Sequence, residues 1–166
     1  MDIFKYIMTI PVVFLVGSII SGVFFSEKVS DLNRKYAIYL LFLGSFLSLS
    51  TLLFRGENYF LYFLALVTGM QNGMYLNYKG IICRTTHMTG TITDLGATIG
   101  NIIVGNRDNQ ENNYKLHYCF INIGGCMIGM MAGGMTYNQF QDQGLYLPAL
   151  GYILIGLTFF RNKVSV

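Results

Sequence analysis

The chain has 166 residues, of which 53% are hydrophobic and 11% charged, and its mean hydropathy is +0.48. About a quarter of the residues of ordinary soluble proteins are charged, so this composition excludes a typical soluble domain and indicates an integral membrane protein. The net charge of +3 is small and dispersed among loops, so it predicts no nucleic-acid partner.

Five segments are predicted to cross the bilayer as helices. The hydrocarbon core is about 30 Å thick and needs roughly 20 mostly apolar residues per helix. The segments are residues 6–25, 36–54, 59–77, 117–136 and the shorter 145–160. The first could instead be a cleavable signal peptide, but it lacks an Ala-x-Ala-like end and exceeds an h-region of about 7 to 15 residues.

A weak internal repeat relates residues 16–22 to residues 123–129, which lie 107 positions later. The glycines that align are Gly17 with Gly124 and Gly22 with Gly129. The repeat predicts a single integral membrane domain over residues 1–166, with a first-repeat remnant at 1–55 and a second repeat at 59–161. The alternative is shared composition alone, because glycine-rich helices also pack closely for structural reasons.

The basic residues predict how the chain is oriented. If residues 85–105 do not cross the membrane, nine Lys and Arg residues lie on one side and two on the other. If they do cross, five Lys and Arg residues lie on one side and six on the other, which gives no preferred orientation. We therefore predict five spans with a re-entrant or surface-lying amphipathic helix at 85–105, and a multi-pass protein of the inner (cytoplasmic) cell membrane. The N-terminus would be outside and the C-terminus cytoplasmic, which gives the two halves the inverted topology common among secondary transporters.

The densest group of small polar residues, 85–94, interrupts the apolar segments. Non-helical backbone at membrane depth is tolerated only where protein buries it or where it lines a hydrated cavity. The third predicted span also carries two amides that need partners. These features predict a substrate-binding site at Gln71, Asn72, Thr86, His87, Thr89, Gly90, Thr91 and Asp94. The alternatives are structural: amides that hydrogen-bond between helices, and a histidine that only donates or accepts a hydrogen bond.

A helix is predicted to start near Thr91 and to be amphipathic, because Ile92, Leu95 and Ile99 recur at helical spacing. Thr91 would cap it and Asp94 would complete a capping box. The free N–H groups at its start would attract an anion, whereas Asp94 favours a cation, proton or zwitterion. Close helix packing is predicted at Gly17, Gly22, Gly96, Gly100, Gly124 and Gly129.

The remaining polar chemistry predicts neither a metal site nor a cofactor. Cys83, Cys119 and Cys126 form no C-x-x-C pair, and the last two would share a helix face as small apolar residues. His87 and His117 lack metal-ligand spacing and accompany no Gly-x-Ser-x-Gly elbow. We therefore predict that the protein is not an enzyme.

Three motifs resemble those of the YoaK-type membrane proteins, a bacterial family classed as a domain of unknown function, DUF1275. They are Gly69-Met70-Gln71-Asn72-Gly73, the run from Thr85 to Gly96 that begins Thr-Thr-His-Met-Thr-Gly-Thr-Ile-Thr, and the glycine helix from Phe14 to Gly22. The resemblance spans nearly the whole chain and implies a membrane protein with no established substrate. It also implies that this chain lacks the family's N-terminal half-motif, a helix that ends in Thr-Gly-Asn.

Two functions follow from these patterns as hypotheses. The first is a small-solute transporter, or the remnant of one, whose solute is unknown and binds at a discontinuous helix. The second is a non-transporting interaction or assembly subunit that forms homo-oligomers in the lipid bilayer through its glycine-rich helices.

Overall fold

The computed structural model describes residues 3–25, 34–54, 56–57, 59–74, 76–78, 81–83, 88–105 and 110–161. The helices in these ranges are α1 (Ile3–Phe24), α2 (Arg34–Phe54), α3 (Phe60–Gly73), α4 (Met88–Ile103), α5 (Gln110–Phe140) and α6 (Tyr146–Arg161). A 3₁₀ turn, Gln141–Leu145, joins the last two, and a two-stranded antiparallel hairpin, β1 (Leu76–Tyr78) and β2 (Ile81–Cys83), follows α3. The predicted helical membrane fold is confirmed, with this short hairpin as an addition.

Three helical stretches of the described chain are long and apolar enough to cross a bilayer. They are Phe4–Phe24, Arg34–Phe54 and the run Gln110–Arg161, which contains α5, the 3₁₀ turn and α6. Helix α3 has 14 residues and is therefore about 21 Å long, shorter than the hydrocarbon core of about 30 Å. The predicted third span, 59–77, is thus wrong at its end, because Met74 takes an extended conformation and Asn77 lies in β1.

The turn before α6 also lies later than predicted. Helix α5 runs through the glycine-rich residues to Phe140, whereas the sequence predicts that the span ends at Thr136. The helix stops where Gln141 adopts a left-handed conformation with φ of 51°. Pro148 then occupies the first turn of α6, where its missing N–H costs no helical hydrogen bond.

The contacts divide the chain into two compact units, one of Met1–Cys83 with Thr136–Val166 and the other of Arg84–Met135. In the first unit, α1 packs against α3 and α2 packs against α6. Its core contains Tyr39, Leu43, Val67 and Met70. The proposed division into repeats at residues 1–55 and 59–161 stays a prediction.

The second unit contains α4 and the greater part of α5. The buried side chains of α4 are Thr91 and Thr98, seven residues apart on one face, whereas Ile92 and Ile99 are exposed. The buried residues of α4 are therefore polar and the exposed ones apolar, which is the reverse of an amphipathic helix in a soluble protein. This is the arrangement expected in a bilayer, where apolar side chains can contact lipid and small polar side chains lie between helices.

Candidate functional site

Two of the sequence motifs, the glycine helix and the Gly-Met-Gln-Asn-Gly segment, pack against each other as α1 and α3. A methyl group on Gly17 would collide with the Leu66 carbonyl oxygen and would lie 2.9 Å from the Met70 nitrogen. A methyl group on Gly69 would likewise collide with the carbonyl oxygen of Phe14. The glycines of both motifs thus allow two helix backbones to touch, which is how small residues act in membrane helices.

Polar side chains lie beside this contact. Ser18 donates a hydrogen bond of 3.1 Å to the Gly69 carbonyl oxygen, which links the two helices directly. Ser21 lies one turn further along α1, where its Oγ would be 3.0 Å from a methyl group placed on Gly73. These residues, together with Asn72 beside Gly73 in the chain, are named here the α1–α3 cluster.

Two atoms of the α1–α3 cluster, Ser21 Oγ and Asn72 Oδ1, are buried without a well-aligned hydrogen bond among the described residues, although the Tyr39 hydroxyl lies beside Ser21. Ser21 is fully buried. An unsatisfied buried polar atom costs about 1 to 3 kcal/mol relative to a hydrogen-bonded one. Such atoms are uncommon in folded proteins and require an explanation, which a bound solute or water would provide.

A second group, named here the α4–α5 cluster, consists of Thr91, Tyr118, Asn122 and Cys126. Asn122 Nδ2 donates to Thr91 Oγ1 over 3.1 Å and lies 3.5 Å from the Tyr118 hydroxyl. The Cys126 thiol lies 4.0 Å from Asn122 Oδ1 as a weak donor. This cluster joins α4 to α5 by hydrogen bonds, so it has a complete structural explanation.

The predicted capping of α4 by Thr91 is wrong. The helix begins at Met88, so Thr91 already lies inside it and its hydroxyl accepts the hydrogen bond from Asn122. Within the helix, the Thr93 hydroxyl donates to the Thr89 carbonyl oxygen, 2.9 Å away. Asp94 is exposed, and its backbone carbonyl accepts from Thr98 Oγ1 over 2.7 Å.

The predicted site residues fall in both units. Gln71 and Asn72 lie at the end of α3 in the first unit, whereas Thr89, Gly90, Thr91 and Asp94 occupy the first turns of α4 in the second. Thr89, Gly90 and Asp94 are exposed, and Thr91 is buried. Thr86 and His87 lie outside the described residues. Binding by any of these residues stays a prediction.

The predicted packing glycines differ in their surroundings. Gly17 lies at the α1–α3 contact, whereas Gly22, Gly96, Gly100, Gly124 and Gly129 would each place a methyl group in open space within the described structure. Tight contacts occur instead at glycines that the sequence analysis did not select for packing, namely Gly44, Gly69, Gly73 and Gly156. Glycine spacing marks a face that permits close approach, but which neighbour uses it depends on the fold.

Sequence reasoning also missed Ser21 and Asn122 as polar site candidates. Ser21 is one of two serines, with Ser18, in a motif otherwise made of apolar side chains and glycine. Asn122 is an amide inside an apolar helix, which is the same signal that singled out Gln71 and Asn72.

A comparison with known protein families identifies the family in which these motifs occur. The family DUF1275, described as "protein of unknown function", matches residues 2–158. This chain belongs to the DUF1275 family. No curated protein and no solved structure matches it. For this DUF1275 protein, membership therefore accounts for the motifs over nearly the whole chain without assigning them an activity.

Proposed function

We propose that this protein is a small-solute transporter, or the remnant of one, whose solute binds at the interruption that follows α3. The observation that carries the proposal is the pair of buried, unpartnered atoms Ser21 Oγ and Asn72 Oδ1. Both belong to the α1–α3 cluster in a helical membrane protein, where no bulk water can satisfy a buried group.

The short length of α3 supports the same proposal. It stops at Gly73 after about 21 Å, and the chain then turns into the hairpin β1–β2 before helix resumes at Met88. Unusually short, interrupted hydrophobic segments mark the binding sites of many secondary transporters, because their helix ends leave backbone groups free to bind solute. The site is accordingly proposed at the point where α3 ends.

We place the protein in the inner (cytoplasmic) membrane as a multi-pass protein with its C-terminus in the cytoplasm, on the basis of the distribution of basic residues. The proposed function includes no catalytic step and requires no resident metal or cofactor.

Uptake into vesicles containing the purified protein tests this function. We expect at least one solute to accumulate when amino acids, sugars, nucleosides and inorganic ions are offered in turn. The Ser21→Ala and Asn72→Leu variants should lose at least tenfold of that uptake while melting at the same temperature as the parent or higher. Removing an unsatisfied polar atom costs no hydrogen bond, so loss of uptake without loss of stability separates a binding role from a structural one.

Ser50→Ala is the matched control for Ser21→Ala. Ser50 is also buried, at 2% exposure, but its hydroxyl already donates to the Leu47 carbonyl oxygen over 3.0 Å. This variant should keep full uptake. Transport of no solute by the parent protein, or unchanged uptake in both the Ser21 and Asn72 variants, contradicts the proposal.

A second function, an assembly subunit that forms homo-oligomers, is favoured by the exposed glycines of α5. Gly125, Gly129 and Gly133 recur every four residues, and a methyl group on any of them would meet no atom within 4 Å in the described structure. An open face of this kind permits a second helix to approach closely in a bilayer.

Native mass spectrometry and crosslinking in lipid nanodiscs test this second function. We expect a dimer or higher oligomer that Gly129→Leu dissociates, because the larger side chain would separate the two backbones. Met131→Leu is the control, since Met131 is an exposed apolar residue of the same helix and keeps its volume. A parent protein that stays monomeric in both detergent and nanodiscs argues against this function.

A further inference from the structure

An apolar groove lies between α1, α2 and α3, within the first unit. Its volume is about 780 Å³, which lies in the range of ligand pockets. The side chains that line it are aliphatic or aromatic except for Lys35, at the start of α2, which is the charged residue of the set. The groove is therefore amphipathic along its length, with one cationic end.

The groove follows one face of α2. Lys35, Tyr39, Phe42 and Phe46 all line it, at helical spacings of four, three and four residues. The 11 helical steps from Lys35 to Phe46 correspond to about 16 Å of helix, close to half of a hydrocarbon core about 30 Å thick. The groove thus has the length of one leaflet, with its charge at the end where α2 begins.

The side of the groove formed by α1 and α2 is open. Phe24 and Phe42 both line it, and they are 66% and 52% exposed. Because α1 and α2 are each long and apolar enough to span a membrane, this open side would face acyl chains. An occupant can therefore enter from the bilayer.

Two polar groups indicate what the occupant carries. Arg34, beside Lys35, already has its guanidinium 5.7 Å from the centre of the Phe160 ring, so it is held toward α6. Lys35 is the neighbouring cation that lines the groove. One turn deeper, the buried Tyr39 hydroxyl lies beside Ser21 and makes no well-aligned hydrogen bond within the described ranges. An acidic head group would pair with the ammonium, and an ester oxygen could accept from the phenol.

We propose that this groove binds one acidic phospholipid of the adjoining leaflet, with an acyl chain along Phe42 and Phe46 and the phosphate at Lys35. The site differs from the proposed solute site in its head-group contact, Lys35, although the buried Tyr39 of its lining lies beside Ser21. One lysine near the membrane surface contributes roughly 1 kcal/mol toward an acidic lipid, which corresponds to about a fivefold preference.

Tryptophan quenching by brominated lipids tests the proposal, because the chain contains no Trp and a single one can be introduced. Phe42→Trp places a reporter in the groove, and Phe24→Trp is a second reporter should the first variant fold poorly. Leu154→Trp is the reporter outside the groove, at 62% exposure on α6. It lies at a similar depth to Phe42, because Gly44 contacts the neighbouring Ile153. Each variant is reconstituted in phosphatidylcholine vesicles that contain brominated phosphatidylglycerol or brominated phosphatidylcholine.

We expect brominated phosphatidylglycerol to quench the groove reporter with about fivefold higher apparent affinity than brominated phosphatidylcholine. The outside reporter should show little preference. Lys35→Gln should abolish the preference in the groove, whereas Lys5→Gln, the same charge change at an exposed position of α1, should leave it intact.

Two results would overturn the proposal. Equal quenching by both lipids in the groove means that ordinary boundary lipid fills it. Quenching of Leu154→Trp but not of either groove reporter means that protein covers the groove, from a second copy or from the rest of the chain. Neither result bears on the uptake assay, so the lipid site and the transport function can fail separately.

Discussion

Gly17→Ala is expected to destabilise the protein by about 3 kcal/mol, at the upper end of what one added methyl group costs in a packed interior. The new methyl would collide with the Leu66 carbonyl oxygen and sit 2.9 Å from the Met70 nitrogen. Both atoms belong to the backbone of α3, so neither can rotate away as a side chain could. Relief requires α1 and α3 to separate, which also weakens the Ser18 hydrogen bond to Gly69.

Gly22→Ala is the control for this change, because Gly22 lies in the same helix and a methyl group there meets nothing within 4 Å in the described structure. Alanine is a better helix former than glycine by roughly 0.5 to 1 kcal/mol, so this variant should be neutral or slightly more stable. Unfolding by SDS titration and by heat in a mild detergent measures both changes. Similar stability of the two variants would show that α1 and α3 do not touch at Gly17.

Gly44→Ala is expected to cost about 2 kcal/mol at the other helix contact of the first unit, between α2 and α6. Its methyl group would lie 2.7 Å from Ile153 Cγ1 and 2.8 Å from the Ala149 carbonyl oxygen. The isoleucine side chain can shift, but the carbonyl belongs to a helix backbone around the fully buried Ala149. The cost should therefore be smaller than at Gly17, where both nearest atoms are backbone.

The matched control is Gly151→Ala, because the sequence repeat aligns Gly151 with Gly44 at the offset of 107 residues. A methyl group on Gly151 meets no atom within 4 Å in the part of the chain that is described. Its stability should stay within about 0.5 kcal/mol of the parent. Equal losses of stability in the two variants, measured by the same SDS titration, would indicate that both aligned glycines contact a neighbouring helix. The α2–α6 packing described above, in which Gly44 has such a contact and Gly151 does not, would then be wrong.

These two comparisons show how far glycine patterns predict packing. The sequence correctly indicates that α1 has a face suited to close approach, because only a side chain without bulk permits backbone contact. It does not indicate that α3 uses this face, or that Gly124 in the aligned segment meets nothing in the described structure. A repeat detected from composition carries no information on which helices become neighbours.

The candidate site likewise has features that the sequence predicts and features that only the fold decides. Asn72 could be selected from sequence, because an amide in an apolar segment must find a partner or remain costly. The lack of a partner for its side-chain oxygen could not be predicted from sequence, since it depends on which residues pack around the end of α3. Thr91 is the opposite case: the sequence predicts a helix cap, and a hydrogen bond from Asn122, 31 residues later, gives it another role.

Composition and segment length by themselves determined the membrane class and most helix positions, because hydrocarbon imposes an apolar surface and internally satisfied backbone on any spanning segment. The tertiary structure alone decided where α3 stops, which glycines touch a neighbour and which hydroxyls lack a partner. Those outcomes depend on contacts between residues distant in the chain, and the lipid solvent accepts several apolar arrangements with similar free energy.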